Sequence, residues 1–413
     1  MARILVMNIP AYGHVNPTLP VVQELAERGH SILYYNTEEF RDRITRTGAL
    51  FRAYPEPMPT SEDITALMRE GNLVKVTRML FALSEHLVPF MLDEVERERP
   101  DLIVHDSIAL WGSIAARLLR LPTVASISHF ILDSRELSRT KRETLHLLWR
   151  ALPLMPAILA SRRRLAQRYG GGIFQKEHLL PVLGDLNLLY TTEQLQPRSA
   201  MIDDRFRFVG PSILNSARAA EPFPFDRLTD APLVYISLGT VHHTDVGFYY
   251  TAFEAFRSYP AQFVLSIGPQ IAIESLGPIP ANFIVRSRVP QLDVLAVADV
   301  FVTHGGMNSI HEGLYFGVPL VVIPHQFEQL FNARIVKKHG AGNILGDRLP
   351  YAHVGAGELR AGVQQVLSTP SYRQNAQLIA QELQSTGGYR QAADEIEAMI
   401  QGQIAEGLLC AGK

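Results

Sequence analysis

Cysteine is almost missing from this chain of 413 residues, which contains only Cys410. A disulfide within the chain is therefore impossible, which fits a reducing compartment, and we expect a cytoplasmic protein. An excess of one charge is missing too, because the formal net charge is -2, so no binding to nucleic acid is expected. No apolar run is long enough to span a bilayer, and we expect no stable insertion into a membrane.

Several motifs of nucleotide and metal enzymes are also missing. No G-x-G-x-x-G follows a predicted strand, which argues against a nicotinamide or flavin enzyme, and no G-x-x-x-x-G-K-[ST] is present for an ATP-driven role. No G-x-S-x-G marks a hydrolase nucleophile. His311 and Glu312 are not followed by the second histidine of a zinc motif, so we expect neither a metal site nor a resident cofactor.

The length and the 47% hydrophobic composition predict two α/β domains rather than one. The first begins with an apolar strand at Arg3–Ile9, a loop, a helix that starts at Pro17 and a strand at Ser31–Tyr35. This βαβ order is typical of a doubly wound parallel sheet. A second series of apolar strands begins at Leu233, after a linker of low periodicity over residues 212–232.

The most informative stretch lies in the second domain. An apolar strand at Val300–Thr303 runs into His304-Gly305-Gly306, and Asn308 or Ser309 is positioned to cap the helix that follows, before another strand at Leu320–Ile323. Two glycines permit a tight turn and a close approach of a ligand to the backbone. The N–H groups and positive dipole end of such a helix suit an anion, so the stretch predicts a phosphate site.

A second group of polar residues follows strands of the first domain. His14 comes shortly after the first strand, Asp106 ends a strand that begins near Asp101, and Ser128 and His129 follow a further strand. Ligands of open α/β sheets collect beyond the carboxyl ends of the strands, so these residues can share one crevice. His14 is then a candidate general base with Asp106 behind it. Spacing alone favours the alternative, a structural histidine and a capping aspartate.

Four segments together resemble the signature of family 1 glycosyltransferases, in particular the bacterial macrolide-type UDP-glycosyltransferases. They are NIPAYGHVNPTLP (Asn8–Pro20), VPQLDVL (Val289–Leu295), THGGMNSIHEGLYFGVP (Thr303–Pro319) and PHQFEQLFNAR (Pro324–Arg334). The resemblance implies a GT-B fold, with two doubly wound Rossmann-like domains facing across a cleft. It implies an acceptor-binding domain over residues 1–215, a nucleotide-sugar-binding domain over 216–388, and a helix over 389–413 that packs back on the first domain.

The resemblance also implies a reaction. A sugar, glucose from UDP-glucose in the first instance, passes with inversion to a hydroxyl group, with His14 as general base and Asp106 as its partner. The donor is a co-substrate, and the acceptor is a hydrophobic small molecule such as a macrolide, polyketide or flavonoid. We expect the acceptor to contact residues at the rim of the first domain: Tyr12, Ser128, His129 and Phe130.

Donor-binding roles follow for residues of the second domain. Phosphate contacts are expected from Gly239, Thr240, His304, Gly305, Gly306, Asn308 and Ser309. Glu312 is expected to accept hydrogen bonds from the ribose, the Val289 backbone and Gln291 to contact the base, and Glu328 with Gln329 to contact the sugar. Arg288 occupies a position where many members of the family have a stacking tryptophan; a guanidinium can also stack on a base, but the choice between UDP and dTDP stays open.

Two other functions share these features. An NDP-sugar epimerase would consume the donor without an acceptor, and a non-catalytic nucleotide-sugar-binding protein would bind without turnover. The apolar character of residues 55–90 and 130–180 favours a hydrophobic acceptor but does not name it. The oligomeric state is not determined by these patterns.

A basic segment over residues 134–168 has no counterpart elsewhere in the chain. It contains nine arginines and lysines against Glu136 and Glu143, mixed with leucines and Trp149. One interpretation is a solvated basic face over an apolar one. The other is a surface for a membrane or a lipid-like acceptor.

Overall fold

The chain forms two compact α/β units. The computed structural model describes residues 1–69, 73–132, 145, 149–175, 179–215, 221–239, 246–347 and 353–411. The first unit comprises Met1–Leu67, Asn72–Ala217 and Thr386–Lys413, and the second comprises Met68–Gly71 with Arg218–Ser385.

The first unit is built on a parallel sheet of seven described strands in the order β3-β2-β1-β4-β5-β6-β7. The strands are β1 (Arg3–Met7), β2 (Ser31–Asn36), β3 (Leu50–Ala53), β4 (Leu102–Asp106), β5 (Thr123–Ile127), β6 (Leu186–Leu189) and β7 (Phe206–Phe208). The connecting helices are α1 (Tyr12–Glu27), α2 (Arg41–Thr45), α3 (Ser61–Arg69), α4 (Leu73–Glu98), α5 (Leu110–Leu119) and α6 (Met155–Tyr169). The central strands are buried on both faces, as expected for a sheet covered by helices on each side.

The second unit has a parallel sheet of six described strands in the order β10-β9-β8-β11-β12-β13. The strands are β8 (Leu233–Ser237), β9 (Gln262–Ser266), β10 (Phe283–Arg286), β11 (Val300–Thr303), β12 (Leu320–Val322) and β13 (Gly342–Ile344). The helices are α7 (Val246–Phe256), α8 (Gln291–Leu295), α9 (Met307–Tyr315), α10 (Phe327–Lys338), α11 (Ala356–Ser368) and α12 (Pro370–Ser385). The predicted fold class, two doubly wound α/β domains, is confirmed.

Strand order reverses at an equivalent point in each sheet. In the first unit β1 lies between β2 and β4, and in the second β8 lies between β9 and β11. The connections from these central strands leave in opposite directions, which opens a crevice at their carboxyl ends. Each unit therefore has a binding position at the end of its central strands.

The last helix of the chain, α13 (Gly388–Ala411), packs on α1 in the first unit. Its buried residues recur at intervals of three to four and form one face: Ala392, Ala393, Ile396 and Ile400. Beside this face, Arg28 Nη1 contacts Asp394 at 2.6 Å and Glu397 at 2.7 Å. Burial of the apolar face, reinforced by these ion pairs, holds the chain end on the first unit.

Helix α1 begins earlier than predicted. We predicted a loop as far as Pro17, but the helix starts at Tyr12 and contains both Pro17 and Pro20. Proline lacks the N–H that a helix interior uses, so the sequence favours a later start. Here burial of residues such as Val15 and Leu19 outweighs the two missing donors.

Two strands were not predicted, β3 and β13. β3 has only four residues, too few for a clear alternation. β13 begins with Gly342, where a Cβ atom would lie 2.4 Å from the carbonyl oxygen of Leu320. Glycine is unfavourable in strands in general, but this close backbone approach requires it.

Much of the basic segment lies outside the described residues, namely 133–144 and 146–148. In its described part, Ile158, Ser161 and Leu165 of α6 are buried, and Arg164 pairs with Glu85 at 2.7 Å. Four large apolar side chains of the described part are exposed: Leu145, Trp149, Leu152 and Leu159. Both interpretations of this segment stay predictions. Over the described part of the chain, no helix is both long and apolar enough to cross a membrane.

Candidate active site

His14 lies in the first turn of α1, directly beyond the end of β1. Its backbone is held at both ends, because its N–H donates to the carbonyl of Ala11 at 2.9 Å and its carbonyl accepts from Asn8 Nδ2 at 3.1 Å. The side chain is 22% exposed, so the ring can meet a ligand. A base in the first turn of a well-packed helix has little positional freedom.

Asp106 ends β4, the strand beside β1, and its carboxylate faces the His14 ring. Asp106 Oδ2 lies 2.8 Å from His14 Nδ1, and Ser128 Oγ lies 3.2 Å from the same nitrogen. Asp106 Oδ1 accepts from the Ile108 N–H at 3.0 Å, which fixes the carboxylate. A carboxylate only accepts, so the arrangement favours a proton on Nδ1 and a lone pair on Nε2.

The Asp106 carboxylate is almost fully buried, with 2% of its side chain exposed. A buried negative charge next to Nδ1 stabilises a positive charge on the ring more strongly than a solvated one would. The pair can therefore take a proton at Nε2 and hold the resulting imidazolium. The adjacency of β1 and β4 in the sheet brings these two residues together.

Of the predicted acceptor-binding residues, Tyr12 and His129 are half-buried, and Ser128 and Phe130 are buried. Tyr12 is half-buried against Phe40, with ring centroids 4.9 Å apart, at the start of α1. Phe130 is only 6% exposed. His129 has both ring nitrogens engaged within the unit, since Nδ1 donates to the Phe130 carbonyl at 3.1 Å and Nε2 lies 3.1 Å from Ser107 Oγ. An acceptor contact by any of these residues stays a prediction.

Asn8 is a residue of this site that we did not single out from the sequence. It is fully buried, and its Nδ2 lies within hydrogen-bond distance of His14 O, Thr18 Oγ1 and Tyr34 OH. It therefore ties the loop after β1 to the helix that carries the base. A polar residue at the end of a predicted buried strand is the signal that could have identified it.

In the second unit, His304 follows β11. Its ring packs against the backbone of Gly239 and Gly306, where any side chain would clash with the imidazole. A Cβ atom at Gly239 would lie 2.3 Å from His304 Cε1, and one at Gly306 would lie 2.5 Å from Nε2. Gly239 also has φ of +70° and Gly305 has φ of +90°, conformations that favour glycine. The glycines therefore make the turn and also accommodate the imidazole.

His304 is a neutral group in this position. Burial, together with the nearby His325, lowers the pKa of His304 to about 3. Among the described residues, its Nδ1 has no hydrogen-bond partner. A neutral imidazole can donate one N–H to a phosphate oxygen, but it contributes no full positive charge.

The N-terminus of α9 follows this turn. We predicted that Asn308 or Ser309 caps the helix, but this is wrong: the helix begins at Met307 and Gly306 precedes it. Asn308 and Ser309 are half-buried in the first turn, where backbone N–H groups lack helical partners. The chain here is tied down by Asn332, whose Nδ2 donates to the Gly305 carbonyl at 2.9 Å. We had not singled out Asn332, which lies on α10.

Two predicted donor-binding residues, Gln291 and Glu312, contact each other. Gln291 Nε2 donates to Glu312 Oε2 at 2.6 Å, and Glu312 is 5% exposed in α9. Gln291 Oε1 in turn accepts from Tyr235 OH at 3.1 Å. Val289 precedes α8 and is half-buried.

The remaining donor candidates lie around α10. Glu328 is half-buried in the first turn of that helix. Gln329 is 5% exposed and its Oε1 accepts from the His325 N–H at 2.9 Å, so its carbonyl already has a partner. Thr240 lies outside the described residues. In the portion that the structure describes, no group of three or more histidines, cysteines or carboxylates could hold a metal ion.

Arg288, the residue in the stacking position, is 50% exposed and lies 3.8 Å from the Glu221 carboxylate. A long, exposed ion pair is weak, so the guanidinium can turn to a planar base. We expect Arg288→Ala to raise the donor KM about two- to fivefold, since such a stack contributes about 0.5–1 kcal/mol at an exposed site. The acceptor KM should not change.

The measurement is initial rates against donor concentration at saturating acceptor. Arg257→Ala removes an exposed arginine that follows α7 and serves as the control. An unchanged donor KM in Arg288→Ala would mean that the guanidinium does not contact the base.

Comparison with known proteins places this chain among glycosyltransferases over nearly its whole length. The family described as "Erythromycin biosynthesis protein CIII-like, C-terminal domain" matches residues 258–399. "Uncharacterized UDP-glucosyltransferase YojK" of Bacillus subtilis is 33% identical over 405 residues, covering 96% of this chain and 97% of that protein. "Demethyllactenocin mycarosyltransferase" of Streptomyces fradiae is 31% identical over 414 residues, covering 97% and 87%.

A solved structure agrees with these relatives. The crystal structure of the glycotransferase of kitacinnamycin matches with a TM-score of 0.81 and 29% identity, and covers 96% of this chain and 98% of that one. The likeness therefore extends across both units.

Proposed function

Because the chain belongs to the bacterial macrolide-type branch of the family 1 glycosyltransferases, we propose that it transfers glucose from UDP-glucose to a hydroxyl group of a hydrophobic small molecule. It is a glycosyltransferase of the natural-product type with the GT-B fold. Our proposal concerns the identity of the donor sugar, of its nucleotide and of the class of acceptor. The name of the Bacillus subtilis relative supports UDP-glucose.

One observation carries the proposed mechanism, the contact between His14 Nδ1 and the buried Asp106 carboxylate. His14 Nε2 takes the proton of the acceptor hydroxyl as its oxygen attacks C1 of the sugar. The new C1–O bond forms while the bond from C1 to the diphosphate oxygen breaks, so the configuration at C1 inverts. The proton ends on the imidazole and the electron pair of the broken bond leaves with UDP.

The leaving diphosphate gains negative charge as that bond breaks. The first turn of α9 supplies backbone N–H groups and the positive end of a helix dipole, and His304 supplies a neutral N–H donor. These groups perform the charge stabilisation that a divalent cation supplies in some other transferases. We therefore propose transfer that requires neither a metal ion nor a resident cofactor.

Binding of the rest of the donor follows from the second unit. Glu312 accepts from the ribose hydroxyls, Gln291 and Arg288 contact the nucleoside, and Glu328 with Gln329 contact the sugar. The half-buried or nearly buried carboxylates at 328 and 312 support these roles, because buried carboxylates bind hydroxyl groups strongly.

Some of the apolar residues that favoured a hydrophobic acceptor in the sequence are buried in the structure and are not accessible to one. Leu80 and Phe81 of the 55–90 segment are 1% and 0% exposed, so they belong to the core of the first unit. The exposed Trp149 and the rim residue Tyr12 are available to an apolar molecule. An apolar pocket with few polar groups is the usual site for such acceptors.

The test is incubation of the protein with UDP-glucose and a panel of macrolide, polyketide and flavonoid acceptors, followed by mass spectrometry. We expect a product heavier than the acceptor by one hexosyl group, together with UDP, in a ratio of one to one. The isomerised donor without any glycoside would indicate an epimerase instead. Donor binding without turnover on any acceptor would indicate a binding protein.

A further inference from the structure

Three side chains of the second unit form a continuous hydrogen-bonded row. Tyr235 OH donates to Gln291 Oε1 at 3.1 Å, and Gln291 Nε2 donates to Glu312 Oε2 at 2.6 Å. The residues come from β8, from the first position of α8 and from the middle of α9. The row thus connects the sheet to both helices that carry nucleoside-binding candidates.

Tyr235 is the fixed end of this row. It is 1% exposed, and its ring stacks on Phe301 of the neighbouring strand β11, with centroids 4.9 Å apart and an angle of 11° between the rings. The two residues are also direct register partners in the sheet. Packing between strands on both sides leaves the ring little freedom, so the hydroxyl is held at one position.

The donor and acceptor pattern of the row is determined at its Glu312 end. Glu312 is a carboxylate that accepts from the Gln291 amide, and the Tyr235 hydroxyl donates to the amide carbonyl. A flipped amide would put its carbonyl against the Glu312 carboxylate, which only accepts, whereas the Tyr235 hydroxyl could rotate to accept from the NH2. The observed orientation of Gln291 is therefore strongly favoured over the flipped one.

We propose that Tyr235 is a positioning residue for nucleotide binding, which acts by holding Gln291 and, through it, the Glu312 carboxylate. This rests on the proposed function, in which the second unit binds UDP-glucose. It assigns a role to a core tyrosine that touches no ligand.

A restriction on the ligand follows from the same pattern. The Gln291 carbonyl accepts from Tyr235 and one amide N–H donates to Glu312, so the second N–H is the amide donor left for a nucleotide. A nucleotide atom that meets this N–H is an acceptor, such as a pyrimidine carbonyl or a ribose oxygen. The fixed Glu312 carboxylate in turn favours a ribose with both hydroxyl groups over a 2′-deoxyribose.

The variant Tyr235→Phe tests the proposal, because it keeps the stacked ring and removes only the hydroxyl. Isothermal titration with UDP should give a Kd about three- to tenfold higher than that of the wild type, the effect of one lost hydrogen bond. The ratio of the Kd values for 2′-deoxy-UDP and UDP should fall, since Glu312 is held less firmly. The kcat at saturating UDP-glucose should stay within about twofold, because a residue that supports only ground-state binding affects KM and not kcat.

A double-mutant cycle separates the effect of the hydrogen-bonded row on UDP binding from a general loss of stability. Once Gln291→Ala removes the middle member, adding Tyr235→Phe should have no further effect on the Kd for UDP. Tyr249→Phe is the matched control, because Tyr249 is fully buried in the same unit and donates to the Ile267 carbonyl at 3.3 Å. That variant should leave the Kd for UDP unchanged, and thermal melting should show all variants folded.

Two failures can be told apart. An unchanged Kd for UDP in Glu312→Ala would mean that the nucleotide binds elsewhere, and the proposed function of the second unit would be wrong. A strong loss in Glu312→Ala with no change in Tyr235→Phe, or equal effects of Tyr235→Phe with and without Gln291, would overturn the positioning role alone.

Discussion

The His14→Ala variant is expected to lose at least about a hundredfold in kcat for transfer to alcohol acceptors. General base catalysis contributes about 10²- to 10⁴-fold, and the buried Asp106 carboxylate lies directly behind the His14 ring. An alcohol is a poor nucleophile until its proton leaves, so the remaining rate should approach that of an unassisted attack. The variant should still bind UDP with the wild-type Kd, because His14 belongs to the first unit.

The measurement is kcat with a fixed alcohol acceptor, together with titration of UDP. His30→Ala is the control for loss of an imidazole in the same unit, since His30 Nε2 contacts Glu397 of α13 and not Asp106. That variant should keep its turnover. A His14→Ala enzyme with near wild-type kcat would remove His14 from the mechanism.

Asp106→Ala should lose less than His14→Ala, about 10- to 100-fold. The buried carboxylate stabilises the imidazolium that forms on His14, and this stabilisation is what the variant lacks. Ser128 Oγ would still lie against Nδ1 and help to orient the ring. Equal losses in the two variants would indicate that the carboxylate takes a direct part in proton transfer.

The second large effect is expected at His304. Removal of one preorganised donor to a developing anion costs about 10²- to 10³-fold in kcat, so His304→Ala should lose that much. His304→Gln should recover part of the rate, because an amide N–H can replace a neutral imidazole N–H. His304→Lys should do worse than the glutamine variant, since a lysine charge would be buried between glycines.

The pH dependence provides an independent test of the same residue. With its pKa lowered to about 3, His304 binds a proton only far below neutrality, so it stays uncharged from pH 5 upwards. The pH profile of kcat/KM for the donor reports groups that titrate in the free enzyme. Between pH 5 and 8 this profile should have the same shape in the wild type and in His304→Gln, with no limb that the substitution removes. Such a limb would mean that His304 acts as a cation.

His311→Gln is the matched control for both measurements. His311 is a buried histidine of α9, the helix that follows the His304 turn; burial lowers its pKa to about 4, and its Nδ1 donates to the Met307 carbonyl at 2.9 Å. This variant should lower the melting temperature while leaving kcat near that of the wild type. A comparable loss of kcat in both variants would indicate a structural effect of helix α9 and not a role of His304 in the reaction.

The sequence by itself determined the class of fold and the position of both candidate sites. His14 follows an apolar strand after a short loop, Asp106 ends another, and His304 with two glycines directly follows a third. In a parallel sheet this pattern places polar groups at the carboxyl ends of the strands. The resemblance then supplied the family. Helix starts were less predictable, since α1 includes Pro17 and α9 begins before Asn308 and Ser309, against the local preferences of these residues.

Only the tertiary structure decided which side chains meet. The 2.8 Å contact between His14 and Asp106, the packing of the His304 ring against Gly239 and the row from Tyr235 to Glu312 all join residues distant in sequence. Burial likewise decided the protonation state of His304, because its low pKa results from burial and from His325, which is distant along the chain. Local patterns encode periodicity and turn chemistry, whereas distances and desolvation arise only when separate strands lie side by side.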